Sequence, residues 1–148
     1  MKRFFILILT SITLLITGCA TTPMAPKEQS DTLKAFPSPP TNKVGLYIYR
    51  NSWSGRALKK NLYIDDHFIG ESAPDVFFYK QLNAGQHKIS TESEFSNNDL
   101  TINTLAGKNY YIRQYMKLGV FVGGANLEEM SEKQAQEDIK KLGLAITH

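Results

Sequence analysis

From residue 43 onward, turn residues cut the chain into short segments of alternating polarity, spaced roughly every 8–12 residues. That spacing is too short for α/β units and selects an antiparallel β architecture. Residues 44–49 (VGLYIY) set Val44, Leu46 and Ile48 on one side and Gly45, Tyr47 and Tyr49 on the other, a period of two. Residues 61–65 and 68–72 flank Asp66 and His67, which predicts a tight hairpin. A strand is expected over 76–82, and Asn83, Ala84 and Gly85 turn the chain into another over 86–94. Residues 99–105 and 109–118 read as a further hairpin across Ala106, Gly107 and Lys108. One helix is expected over 132–142: Ser131 and Gln134 form a capping box, Ala135, Ile139 and Leu142 a narrow apolar stripe, and Gly143 a terminating glycine. The expected fold is therefore mostly β, an antiparallel β-sandwich of about 7–8 strands with one C-terminal helix, occupying residues 43–148.

The N-terminus has a different character. Lys2 and Arg3 precede residues 4–16, a run of 13 in which ten are apolar. A membrane span needs about 20 apolar residues, so this run has the length of a signal-peptide core. Gly18 and Cys19 follow it, and Cys19 is the sole cysteine. This pattern resembles the bacterial lipobox. The resemblance implies cleavage between Gly18 and Cys19, acylation of the Cys19 thiol, and a second acylation of its new amino terminus. Residues 1–18 are then a lipoprotein signal peptide, and the protein's partner is a membrane, reached through the lipid on Cys19. Two or more acyl chains anchor stably where one does not. Ala20 stands where an aspartate would resemble an inner-membrane retention signal, so an outer-membrane location facing the periplasm is expected.

Residues 19–42 hold five of the six prolines and few large apolar side chains. They show neither a helical nor a strand period, which predicts a proline-rich tether behind the lipidated cysteine. Fully extended, its 23 residues after Cys19 would reach roughly 70 Å at about 3.1 Å each.

The turn at residues 82–89 (LNAGQHKI) looks like an element of small bacterial β-sandwich domains of the PEGA type. Taken with residues 47–50 (YIYR), 63–70 (YIDDHFIG), 106–113 (AGKNYYIR) and 119–123 (GVFVG), it resembles the prolipoprotein family known as domain of unknown function 2846. The resemblance spans about residues 43–142 and implies a fold and a location, with no activity attached. Asn83 and Ala84 replace the usual proline before the turn glycine, and Asp66-His67 stands where Asp-Gly is commoner.

A near-neutral chain excludes nucleic acid as a partner. The formal charge is +3, and it falls to +1 once Lys2 and Arg3 are set aside. One cysteine excludes a disulfide framework and a multi-cysteine metal site. No catalytic residue, cofactor or metal is expected. His67 falls at a hairpin tip and His148 at the end of the chain, while His87 shares a face with Ile89 and reads as a hydrogen-bonded structural histidine. The alternative is an envelope hydrolase or small-ligand-binding protein with its site near His87, which would need a base oriented by a carboxylate beside a nucleophile. Asp65, Asp66 and Glu71 crowd one hairpin without a calcium-loop pattern. Gly119, Gly123 and Gly124 lack the lysine of a phosphate loop and read as a bend. The candidate partner-binding surface is a strand face carrying Tyr111, Arg113, Tyr115 and Lys117, suited to an envelope protein or a glycan. Cross-strand pairing on a solvated sheet is the plainer account of the same pattern. The expected function is a non-enzymatic, lipid-anchored accessory or binding module of the envelope.

Overall fold

The computed structural model describes residues 19–52 and 54–148. The signal peptide assigned to 1–18, Gly18 of the cleavage site included, lies outside the described residues. Among the described residues, nine strands follow one another as β1 (Lys43–Arg50), β2 (Lys60–Ile64), β3 (His67–Ser72), β4 (Val76–Asn83), β5 (Gly85–Thr91), β6 (Asn98–Thr104), β7 (Asn109–Lys117), β8 (Gly124–Glu129) and β9 (Gly143–Leu144). Helix α1 (Lys27–Leu33) precedes them, and α2 (Glu132–Ile139) stands between β8 and β9. The strands form two sheets, β8-β7-β1-β4-β9 and β3-β2-β5-β6.

The aliphatic side of the period-two pattern makes the core between the sheets. Leu46 and Ile48 from β1, Val76 and Phe78 from β4 and Ile112 from β7 meet Leu62, Ile64, Ile69, Ile89 and Ile102 of the facing sheet. Each is nearly fully buried, and each such side chain stabilises the fold by about 1.5–3 kcal/mol. The mostly-β sandwich with a C-terminal helix is therefore as expected. Ser131 caps α2 by accepting from the Gln134 N–H, and Ala135, Ile139 and Leu142 are all buried. The helix ends at Ile139, three residues early, because the chain must tighten there to enter β9.

Three features correct the expectation. Residues 99–118 are not a hairpin: β6 pairs with β5, while β7 pairs with β1 and β8 in the other sheet. The 105–108 bend carries the chain from one layer to the next, with the Gly107 N–H bound to the Lys43 carbonyl at 2.7 Å. Turn chemistry marks a reversal without saying which layer receives the next strand. The sheets are also not wholly antiparallel, since β1–β7 and β4–β9 run parallel. Finally, β8 and β9 bring the count to nine. The β2–β3 hairpin forms, but its turn residues are Asp65 and Asp66, both at positive φ, and His67 already belongs to β3.

The other face of the five-stranded sheet is covered as well, which makes β1 a strand buried on both sides. Tyr47, Tyr49, Phe77 and Tyr111 form a second core with Ala135, Ile139, Leu142 and Leu144, and Ala25, Leu33 and Phe36 pack against it. The last three come from the stretch read as a tether. That reading is corrected: residues 20–42 lie along the domain. The Ala25 N–H binds the Leu144 carbonyl (2.9 Å), the Ile146 N–H binds the Pro23 carbonyl (2.9 Å), and the Tyr47 hydroxyl donates to the Leu33 carbonyl (3.1 Å). A few apolar side chains suffice because they close an aromatic surface that the sheet already presents. Gly45 helps, because a Cβ there would lie 2.0 Å from Asn109 Oδ1. Its absence leaves room for the Asn109 amide to donate to the Pro37 carbonyl (3.1 Å).

Candidate functional site

The strand face expected to meet a partner is divided by this packing. Tyr111 is 2% exposed, stacks on Tyr47 with ring centroids 5.2 Å apart, and accepts a hydrogen bond from the Gln136 amide (3.1 Å). Burial pushes its phenol above the ordinary value. Tyr111 is core and offers a partner nothing, a correction whose cause is the cover laid down by α1, Phe36 and α2. Arg113 is ion-paired with Glu128 directly across the β7–β8 ladder and lies over the Tyr115 ring at 6.0 Å. The Tyr115 hydroxyl accepts from its cross-strand neighbour Asn126 (3.1 Å). Both side chains are half-buried in cross-strand pairs, and Lys117 alone of the four is exposed.

His87 sits on β5 with its side chain 12% exposed. Its Nδ1 lies 2.7 Å from Asp65 Oδ2 and its Nε2 2.9 Å from the Asn83 carbonyl. Both partners are acceptors, so both ring nitrogens must donate, and the geometry selects the imidazolium. Burial by itself lowers the imidazole, but the Asp65 carboxylate and the Asn83 carbonyl outweigh it and leave His87 above the ordinary value of 6.5. Burial likewise raises Asp65, and is outweighed by His87 and the Lys88 N–H, which hold it below 3.8. An imidazole with both nitrogens engaged has no lone pair to serve as a base; it ties the β2–β3 turn to β5. The pH consequence follows by linkage. The raised His87 value stabilises fully below 6.5 and is lost as pH rises through its native pKa. The depressed Asp65 value stabilises above 3.8 and is lost as pH falls through its own. The pair therefore contributes most between those two values. An NMR titration should place the His87 ring above 6.5, and Asp65→Asn should bring it back down; an unshifted ring in the parent protein would refute the pairing.

The most distinctive surface is at the Arg50 end of the sandwich. There residues 54–58 and 116–123 converge around a cleft of about 340 Å³ lined by Gly55, Leu58, Met116, Leu118, Phe121 and Val122, and residues 93–96 adjoin the other side of the 117–124 segment. Beneath it Arg50 is fully buried and donates to the carbonyls of Leu58 (2.8 Å), Gly55 (2.7 Å) and, at longer range, Ser72 (3.5 Å). Burial lowers the guanidinium to about 10, so it stays charged at neutral pH. Alongside, buried Gln114 of β7 joins Ser72 and Thr91 of the opposite sheet, its amide donating to Thr91 Oγ1 at 2.6 Å. Above, the Glu94 carboxylate accepts the backbone N–H groups of Val120 (2.7 Å), Phe121 and Val122 (3.1 Å). These bonds, that of Phe121 foremost, hold Glu94 below the usual carboxylate range. The 118–122 loop closes so tightly that a Cβ on Gly119 would lie 1.5 Å from the Val122 carbonyl oxygen. The glycines read as a bend do make one. The exposed apolar tip between them was missed; its signal is five residues, Leu118 to Val122, with no polar alternation.

Residues 40–125 match the family described as Protein of unknown function (DUF2846). The chain belongs to this family. The DUF2846 match covers both sheets from the entry into β1 to the start of β8 and takes in the 118–122 loop, while α1 and α2 lie outside it. An uncharacterized protein of Haemophilus influenzae is 64% identical over 137 residues, covering 93% of this chain and 82% of the relative. No solved structure matches this DUF2846 chain. Among the described residues, no helix is long and apolar enough to cross a membrane.

Proposed function

We propose that this DUF2846 protein is a lipid-anchored accessory module of the bacterial envelope, acting without catalysis from the outer membrane toward the periplasm. The observation that carries this reading is Cys19. It is the sole cysteine, it follows Gly18 and the apolar run at 4–16, and it stands exposed at the edge of the domain. Acylated there, it attaches the domain without a membrane-crossing segment in the mature chain. The absence of catalysis is supported by His87, whose ring nitrogens are both committed to acceptors. An envelope protein or a glycan remains the partner this reading calls for, with Arg113, Tyr115 and Lys117 the members of the strand face left near solvent.

The test is metabolic labelling with radioactive palmitate, combined with mass spectrometry of the mature N-terminus. The parent protein should carry label, begin at an acylated Cys19 and sediment with membranes. Cys19→Ser should lose all label and leave the outer-membrane fraction, since no acyl chain then remains to anchor it. An unlabelled parent protein, or a Cys19→Ser variant that carries the same label, overturns the reading.

A further inference from the structure

We infer that the apolar rim at the Arg50 end of the sandwich, formed by Phe95, Leu118, Val120, Phe121 and Val122, is a membrane-docking surface that enters the bilayer interface. The inference rests on the proposed acylation of Cys19 and adds to it an orientation: the rim faces the lipid, and the 83–85 and 105–108 turns point away.

Exposure is the first ground. Leu118 is 102% exposed, Phe121 83%, Val120 and Phe95 77% each, and Val122 54%. Concentrated on two adjoining loops, such side chains mark an interaction surface rather than the scattered exposure usual in soluble proteins. The second ground is that the rim is built. Phe95 and Phe121 meet edge to face at 6.3 Å, and the Glu94 carboxylate satisfies the N–H groups of three consecutive tip residues. An apolar medium penalises free backbone donors by several kcal/mol each, and these three are paired, with the charged Glu94 that pairs them left at the level of the polar headgroups.

Position supplies the third ground and selects the occupant. The Ala20 N–H binds the Arg56 carbonyl at 3.0 Å, which places Cys19 beside residues 54–58. Gly55 and Leu58 of that segment line the same cleft as Leu118, Phe121 and Val122. Because residues 23–37 are docked on the domain, no free tether separates the anchor from this end. Acyl chains on Cys19 would therefore bring the rim to the bilayer surface, with the exposed Lys117 at the level of anionic headgroups.

The test uses the full-length lipidated protein with Phe121→Cys labelled by an NBD fluorophore, Cys19 being blocked by its acyl group. Gln86→Cys, exposed at the opposite end, serves as the reference. Both are reconstituted on vesicles of phosphatidylethanolamine and phosphatidylglycerol. The label at 121 should be shielded from aqueous iodide and quenched by acyl-chain nitroxides at a depth of about 5–10 Å, and the label at 86 should behave in the opposite way. Vesicle-bound protein with both positions equally open to iodide overturns the docking surface while leaving the anchor intact. Mass spectrometry showing an unmodified Cys19 overturns the anchor, and the depth at 121, read with Cys19→Ser so that only one thiol takes the label, then judges the rim alone. Shielding at 121 without vesicles, with sedimentation that rises with concentration, means that a second copy covers the rim and also overturns the inference.

Discussion

Tyr47→Ala is expected to lower the stability of the domain by about 3–5 kcal/mol, a large part of the 5–15 kcal/mol typical of a domain this size. Tyr47 stands at the centre of β1, the middle strand of its sheet, and is fully buried. Its ring meets Phe36 at 5.6 Å, Tyr79 at 4.7 Å and Tyr111 at 5.2 Å between centroids. Truncation removes the surface on which the 27–36 segment lies, so limited proteolysis within that segment should accelerate together with the fall in urea midpoint. Tyr47→Phe keeps every ring contact and loses only the bond to the Leu33 carbonyl, for a cost of about 1 kcal/mol. A Tyr47→Ala cost as small as that of Tyr47→Phe would mean that the cover over this face is not stably formed.

Arg50→Met should cost about 3 kcal/mol or more, because it strands acceptors that the guanidinium satisfies. The side chain draws the Gly55 and Leu58 carbonyls onto the end of β1 and so fixes the 54–58 segment that walls the cleft. Arg50→Lys should recover little of the loss: an ammonium is a point donor on a flexible stem, and it cannot reproduce a planar fork aimed at separate carbonyls. Thermal unfolding of the three proteins, with proteolysis followed at residues 54–58, reads both effects. If Arg50→Met stayed within about 0.5 kcal/mol of the parent, the carbonyls would have other partners and the account of this end of the fold would fail.

Much of the sheet structure could be read from residue order. β1 through β7 appear within a residue or two of their expected bounds, apart from the end of the 86–94 segment, since β5 stops at Thr91. There Glu94 leaves the ladder to bind the 120–122 backbone, a distant partner that no local pattern announces. The helix start was legible because Ser131 caps locally, accepting the Gln134 N–H, although the Gln134 side chain turns to Asp138 and leaves the other arm of the box unmade. For the candidate site the record is narrower. That His87 is hydrogen-bonded and largely turned from solvent followed from its face on β5, whereas the rim at 118–122 did not, because it forms only when two loops meet.

By itself, the sequence determined what local chemistry can determine: a mostly β chain, the aliphatic face of each strand, the capped C-terminal helix and the singular position of Cys19 behind an apolar run. Tertiary structure decided which layer each strand joined, because the bend at 105–108 serves a crossing between sheets as well as it would serve a hairpin. It also decided the fate of the tyrosines. The face of Tyr111, Arg113, Tyr115 and Lys117 reads as open to a partner when its strand is taken alone, and residues 20–42 read as a tether when taken alone. Neither segment buries enough surface by itself to offset the entropy of ordering it, and the two together do. The two misreadings share a cause in part, since Phe36 of the supposed tether covers Tyr111 of the supposed binding face together with α2.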